Sequence, residues 1–280
     1  MKSIADLRVH LFADGADKAQ MLRLYQNPLI QGFTTNPTLM RKAGIRDYEA
    51  FAQDILQAIP DRPISFEVFS DVFTEMEAQA HLIADWGDHV YVKIPISNTK
   101  AQSTIPLISR LADDGIKVNV TAMLTLDQVR DTLEVLAGGP PACVSVFAGR
   151  IADTGRDPVP LMAEAVRLVR QTTNVELIWA SPRELLNIVQ ADQIGCHIIT
   201  ATEDILQKLS LVGKDLDLYS LETVKMFHGD AVKAGFQLKA KSEIRNLKSE
   251  SLNSKFEIRN SKPEARSPQP LDPGPVQVAN

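Results

Sequence analysis

His89-Val-Tyr-Val-Lys-Ile-Pro-Ile96 is the stretch on which the reading of this chain turns. An apolar, β-branched run of this length, closed by Pro95 and followed by Ser97-Asn98-Thr99, reads as a short buried strand ending at a loop. Lys93 stands inside it. Burial disfavours the ammonium form, and the neutral amine that results is a nucleophile for a carbonyl carbon. The alternative is an edge-strand lysine that snorkels its amine into water. The stretch by itself leaves both readings open.

Outward from that strand, short apolar runs alternate with longer amphipathic ones. Strands are expected over 9–14, 32–34, 64–69, 90–94, 117–121, 142–147, 176–180 and 196–200. Helical patterns fall between and after them, over 18–26, 48–58, 74–86, 102–114, 126–136, 159–171, 183–191 and 202–211. In the third of these, Met76, Ala80, Ile83 and Ala84 share one face and acids take the other. Thr125 and Gln128 have capping-box spacing, and Ser181 before Pro182 reads as an N-cap followed by a first turn. Eight strands, each followed by a helix, count to a single α/β domain, a (β/α)8 TIM barrel. A doubly wound open sheet is the competitor, but no Gly-rich dinucleotide fingerprint follows any strand.

One further helix is expected over 221–234, ending at Gly235 and packing across the barrel. The catalytic domain is thus placed at 1–238. From 239 to 280 the chain is rich in Lys, Glu, Ser, Asn and Pro, with a near-repeat between Lys241-Ser-Glu-Ile-Arg-Asn246 and Lys255-Phe-Glu-Ile-Arg-Asn260. Such a segment buries too little surface to offset its ordering entropy and reads as a disordered tail.

The 280 residues are 44% hydrophobic and 23% charged, an ordinary globular composition with material for one large core. A net charge of −5, with no basic stripe before the tail, argues against a nucleic-acid partner. Cys143 and Cys196 sit in strand-like apolar runs and read as buried free thiols. The five histidines show no ligand spacing, so no metal site is expected. Neither a signal-peptide h-region nor a run long enough to cross a bilayer is visible, which points to a cytoplasmic protein without a membrane partner.

In a barrel the chemistry sits at the carboxyl ends of the strands. There this sequence places Asp14, then Thr34-Thr35-Asn36-Pro37, Glu67, Lys93, Asn119 with Thr121, Ser145 with Phe147, and Ser181. Each alone reads best as a turn former or a satisfied core group; the set is the signal. An amine in an apolar barrel flanked by two carboxylates is equipment for imine chemistry on a ketone. Arg150 and Arg183 follow strands six and seven, where barrels often hold phosphate, although surface salt bridges explain them equally well.

These motifs carry a resemblance. Ala13-Asp14-Gly15, Gly32-Phe-Thr-Thr-Asn-Pro-Thr38, Val92-Lys-Ile-Pro95, Val118-Asn-Val-Thr121, Ser145-Val-Phe-Ala-Gly-Arg-Ile151 and Ala180-Ser-Pro-Arg183, in this order, resemble the transaldolase and fructose-6-phosphate aldolase superfamily of class I aldolases. The resemblance runs from about residue 9 to 236. It implies that Lys93 forms a Schiff base with the C2 carbonyl of a ketose phosphate and that Asp14 takes the proton of the C4 hydroxyl. Glu67, with Thr121 and an ordered water, would move protons as the carbinolamine forms and collapses. Asn36, Asn119 and Ser145 would hold the three-carbon unit and Arg150 and Arg183 the acceptor or donor phosphate, with Thr35, Phe147 and Ser181 also binding substrate.

The resemblance implies no cofactor, small-molecule sugar phosphates as partners, and a homo-oligomer. Glu67 and Phe147 match the transaldolase branch, whereas the aldolase branch has glutamine and tyrosine there. Ser181-Pro182-Arg183 departs from the family's more usual Ser-Phe pair, which leaves the acceptor sugar open. A lyase, an enzyme for a specialised sugar phosphate and a sugar-phosphate-binding protein without catalysis stand as alternatives.

Overall fold

The computed structural model describes residues 4–238. Eight parallel strands close into a barrel in chain order: β1 (His10–Asp14), β2 (Ile30–Thr34), β3 (Ile64–Glu67), β4 (Val90–Pro95), β5 (Val118–Met123), β6 (Ala142–Val146), β7 (Val175–Trp179) and β8 (Ile198–Ala201). β1 pairs with β8, so no edge strand is left and the expected open-sheet competitor is excluded. The snorkelling reading of Lys93 falls with it, because β4 is paired on both sides and Lys93 is 5% exposed.

The helices are α1 (Lys18–Tyr25), α2 (Pro37–Lys42), α3 (Tyr48–Ala58), α4 (Phe73–Ala84), α5 (Ile105–Asp113), α6 (Leu126–Leu136), α7 (Ala148–Ala152), α8 (Val159–Val169), α9 (Leu186–Ile194) and α10 (Glu203–Leu206). α10 continues as a 3-10 turn over Gln207–Leu211. The capping box of α6 forms as its spacing predicts. Met76, Ala80 and Ile83 are the buried face of α4.

Two short helices fall where the sequence marks no element, and one expectation needs correction. Asn36 caps α2 by accepting from the Leu39 N–H at 3.0 Å, and Pro37 takes its first position. Proline tolerates that site because its missing N–H would go unused. α7, at five residues, is too short to show a helical period. Ser181 is not an N-cap. It adopts a left-handed φ of 59° in a loop, and α9 starts only at Leu186.

Successive strand residues face alternately outward to the helices and inward to the barrel. The outward set, including Leu11, Ile64, Val92, Val118, Val144 and Leu177, belongs to one continuous core with the helix faces. Inward, Phe12, Cys143, Ile178, Ala180 and Ile198 form a second, smaller cluster with Tyr91 and Phe147 against it. Gly32 is needed there: a Cβ at this position would lie 2.5 Å from the Phe12 ring. The ring thus fills the barrel interior across β2. Burial pushes the Cys143 and Cys196 thiols up, which keeps them protonated and inert. Buried Asp192 of α9 fastens the start of β1 by accepting from the Arg8 and Val9 N–H groups at 2.7 and 3.2 Å.

Residues 4–215 make up this barrel unit. The last described helix, α11 (Leu216–Lys233), begins at Leu216 rather than Leu221 and buries none of its residues. Its apolar side chains, among them Leu216, Leu221, Val224 and Phe227, are exposed. The tail expected from 239 onward lies outside the described residues. Among the described residues no helix is long and apolar enough to cross a membrane.

Candidate active site

Two residues beyond Phe12, Gly32, Ser65, Tyr91, Asn119, Cys143, Ile178 and Ile198, one further side chain from each strand turns inward. Asp14, Thr34, Glu67, Lys93, Thr121, Ser145, Ala180 and Thr200 all line a single cavity of about 690 Å³ at the carboxyl ends of the strands. Loop residues complete its wall: Asn36 and Lys42 from the β2 side, Phe147 and Arg150 after β6, Ser181 and Arg183 after β7, Thr202 and Asp204 after β8.

Lys93 is held from two directions. Its Nζ donates to the Thr35 carbonyl at 2.9 Å and lies 3.2 Å from Glu67 Oε2. The β3–β4 register puts Glu67 and Lys93 side by side, so the ion pair follows from strand pairing. A buried ammonium without such partners would cost several kcal/mol in desolvation. Thr35 is itself immobilised, its N–H and Oγ1 both donating to the Ser65 carbonyl at 3.1 and 2.8 Å.

Asp14 is half-buried on the cavity wall and accepts from Thr34 Oγ1 at 2.7 Å; Thr34 in turn meets the Thr200 hydroxyl. Burial pushes its carboxyl above the ordinary range, while the nearby Lys93 charge and the Thr34 hydrogen bond offset part of that rise. The carboxyl thus combines a polar anchor with an environment that favours holding a proton, the setting of an acid–base group.

Below the amine, Asn119 donates to Ser65 Oγ at 3.0 Å and accepts from Ser145 Oγ at 2.7 Å. Thr121, from the same strand, has a buried hydroxyl with no hydrogen-bond partner among the described residues. Ala122 follows with φ 63°, where the β5–β6 register shifts. That kink interrupts the pairing at the cavity wall before it resumes at Met123 and Val146.

At the other end, Arg150 stands over the Phe147 ring, its Cζ 5.7 Å from the centroid. Arg183 makes a two-pronged ion pair with Asp153, its Nε donating to Oδ1 at 3.0 Å and its NH2 to Oδ2. The Arg183 bonds hold the Asp153 carboxyl below its ordinary range. Arg183 thus forms a salt bridge and also lines the cavity. The backbone of Ser181 presses on α7 so closely that a Cβ at Gly149 would lie 1.6 Å from the Ser181 carbonyl oxygen. Only glycine permits that approach.

Of the residues singled out from sequence, Lys93, Asp14, Glu67, Thr121, Asn36, Ser145, Phe147, Arg150, Ser181 and Arg183 meet around the one cavity. Thr35 and Asn119 do not reach its wall and are fully buried behind it. Sequence reasoning placed Thr34 at the end of its strand without giving it a role, and passed over Lys42, Thr200, Thr202 and Asp204. The inward period of β8 would have found Thr200; nothing in the sequence marks Lys42 or Asp204.

The model of the family described as Transaldolase/Fructose-6-phosphate aldolase matches residues 11–256. A relative from Dehalococcoides mccartyi, named "Probable transaldolase", is 33% identical over 202 residues, 72% of this chain and 90% of that protein. One from Streptococcus equi subsp. zooepidemicus with the same name is 32% identical over 200 residues, 71% of this chain and 89% of that protein. A solved structure from Burkholderia cenocepacia J2315 superposes with a TM-score of 0.52 at 12% identity, covering 86% of this chain and 91% of that one, a likeness of fold alone. With a matching family model over most of its length and relatives above 30% identity, the chain belongs to the transaldolase/fructose-6-phosphate aldolase family.

Proposed function

We propose that this protein transfers a dihydroxyacetone unit from a ketose phosphate of the fructose 6-phosphate type to an aldose phosphate, through a Schiff base on Lys93. The observation that carries this reading is the setting of Lys93: a buried amine aimed by the Thr35 carbonyl, 3.2 Å from a carboxylate, in one cavity with Asp14.

The neutral Lys93 amine attacks C2 of the ketose, and Glu67, at ion-pair distance, relays protons as the carbinolamine forms and loses water. Thr121, whose hydroxyl is unengaged, serves the same transfers through a water. Asp14 then takes the proton of the C4 hydroxyl. The C3–C4 bond breaks, its electron pair passes into the protonated imine, and an aldose phosphate leaves. The resulting enamine attacks the carbonyl carbon of the acceptor aldose, Asp14 returns its proton to the new hydroxyl, and water releases the product from Lys93. Asn36 and Ser145 face the three-carbon unit, with Asn119 and Thr35 supporting Ser145 and Lys93 from behind. Arg150, Ser181 and Arg183 take the phosphate end, where guanidinium forks suit phosphate oxygens.

Borohydride reduction in the presence of labelled fructose 6-phosphate tests the reading. A covalent adduct on Lys93 is expected; its absence where a control class I aldolase labels would overturn it. Following products with and without erythrose 4-phosphate separates transfer from cleavage. Fast dihydroxyacetone release without acceptor would assign a lyase instead. A panel of ketose donors and aldose phosphate acceptors then identifies the sugar.

A further inference from the structure

Beside Glu67 the barrel has a gap in its ladder. β2 pairs with β3 only as far as Thr34 and Ser65, and after Thr35 the chain turns away into α2. The β2-side backbone groups of Glu67 are left without a strand partner. One side chain takes both: the Tyr48 hydroxyl donates to the Glu67 carbonyl at 2.8 Å and accepts from the Glu67 N–H at 2.8 Å. A phenol has the one donor and the acceptor capacity this needs, but only while protonated. Burial pushes the Tyr48 phenol up and keeps it so.

The tyrosine ring is itself fixed. It meets the rings of Phe66, Phe69 and Trp86 with centroids 6.4, 5.5 and 5.8 Å away. Tyr48 opens α3, outside the barrel, and it lines no part of the site cavity. We propose that Tyr48 is a positioning residue: it stands in for the missing strand and locks the backbone that carries Glu67, so that the Glu67 carboxylate stays beside the Lys93 amine. The proposal rests on the Schiff-base reading above. A carboxylate that relays protons must keep its place within about half an ångström, and small misplacements of catalytic groups cost up to about a hundredfold in rate.

Tyr48→Phe keeps the ring and removes the hydroxyl alone. Its expected effects are a fall in kcat of about tenfold to a hundredfold with KM within about twofold, and slower borohydride trapping on Lys93. Amide hydrogen exchange at Glu67 should also be faster. In a Glu67→Gln background the same change should add little further loss, because it acts through that carboxylate; a merely structural residue would give additive losses. Wild-type kcat in Tyr48→Phe, or full additivity with Glu67→Gln, would overturn the proposal.

If Tyr48→Phe does not fold, a tetrafluorotyrosine placed at position 48 alone supplies the test. Its phenol is acidic enough that, even raised by the same burial, it loses the donor proton within the working pH range, which should add a basic limb to the kcat profile that the ordinary chain lacks. An unchanged profile would count against the clamp. A wild-type protein that forms no Lys93 adduct sinks the Schiff-base reading, whereas labelling at equal rates in wild type and Tyr48→Phe sinks only the role of Tyr48.

Discussion

The barrel interior holds two rows of side chains, one residue pair apart on the same strands, with opposite characters. The lower row, Phe12, Gly32, Ser65, Tyr91, Asn119, Cys143, Ile178 and Ile198, is mostly apolar and plugs the barrel; the Phe12 ring lies against Gly32, and its polar members Ser65 and Asn119 are bonded to each other. Two residues on, Asp14, Thr34, Glu67, Lys93, Thr121 and Ser145 face an open cavity and bond mostly to one another or to neighbouring backbone. The lower row is filled and the upper row is left accessible, so the floor supplies stability to a layer that spends it on buried polar groups. A change in the upper row should therefore cost activity with little loss of fold, and a change in the lower row the reverse.

The largest expected effect is that of Lys93→Met. Loss of the nucleophile should lower kcat by on the order of a thousandfold or more and abolish borohydride labelling. Thermal stability should fall only modestly, since Glu67, unpaired by the change, is half-buried on the cavity wall and reaches water there. A large drop in Tm would break the comparison. Gly32→Ala acts on the floor. The added methyl meets the Phe12 ring at 2.5 Å, and relieving that overlap should cost about 1–3 kcal/mol in chemical denaturation while Lys93 still labels.

Arg183→Ala touches neither row. It should raise KM for a phosphorylated acceptor about tenfold, worth about 1.4 kcal/mol of binding, and leave an unphosphorylated aldehyde acceptor unaffected. Equal effects on both acceptors would place the phosphate elsewhere.

The smallest effect expected is on stability in Asp14→Asn, measured as Tm against pH. Burial raises the native carboxyl above its ordinary value of 3.8, so the folded chain holds a proton that the unfolded chain releases. The wild-type protein has the full benefit below 3.8 and loses it as pH rises through the native value. The asparagine variant, which does not titrate, should thus match wild type in acid and exceed it at neutral pH. An Asp14→Asn protein less stable than wild type at neutral pH would show that the Lys93 charge outweighs burial at this site.

Much of this was legible beforehand for identifiable reasons. Seven of the eight strands end in polar inward residues, and most of these sit two positions from an apolar or small one, a period visible in a linear sequence. Lys93 and Glu67 were legible as strand residues of the wrong polarity for a core. The helix α2 was missed although Asn36-Pro37 is a capping signature, because six residues carry no amphipathic repeat. Ser181 was misread as an N-cap because its type and the following proline fit one; its left-handed φ and its backbone's close approach to Gly149 have no local signature.

The sequence by itself determined the eightfold alternation, the polar strand ends and the kinds of chemistry they can support, since periodicity and residue type are local properties. The tertiary structure alone decided which of those residues meet. Barrel closure brings Thr200 to Thr34, while the packing of consecutive β/α units brings Arg183 to Asp153 and places the Tyr48 hydroxyl on the Glu67 backbone. Each of these contacts joins residues set by the register and stagger of strands, and no local pattern in the chain records that geometry.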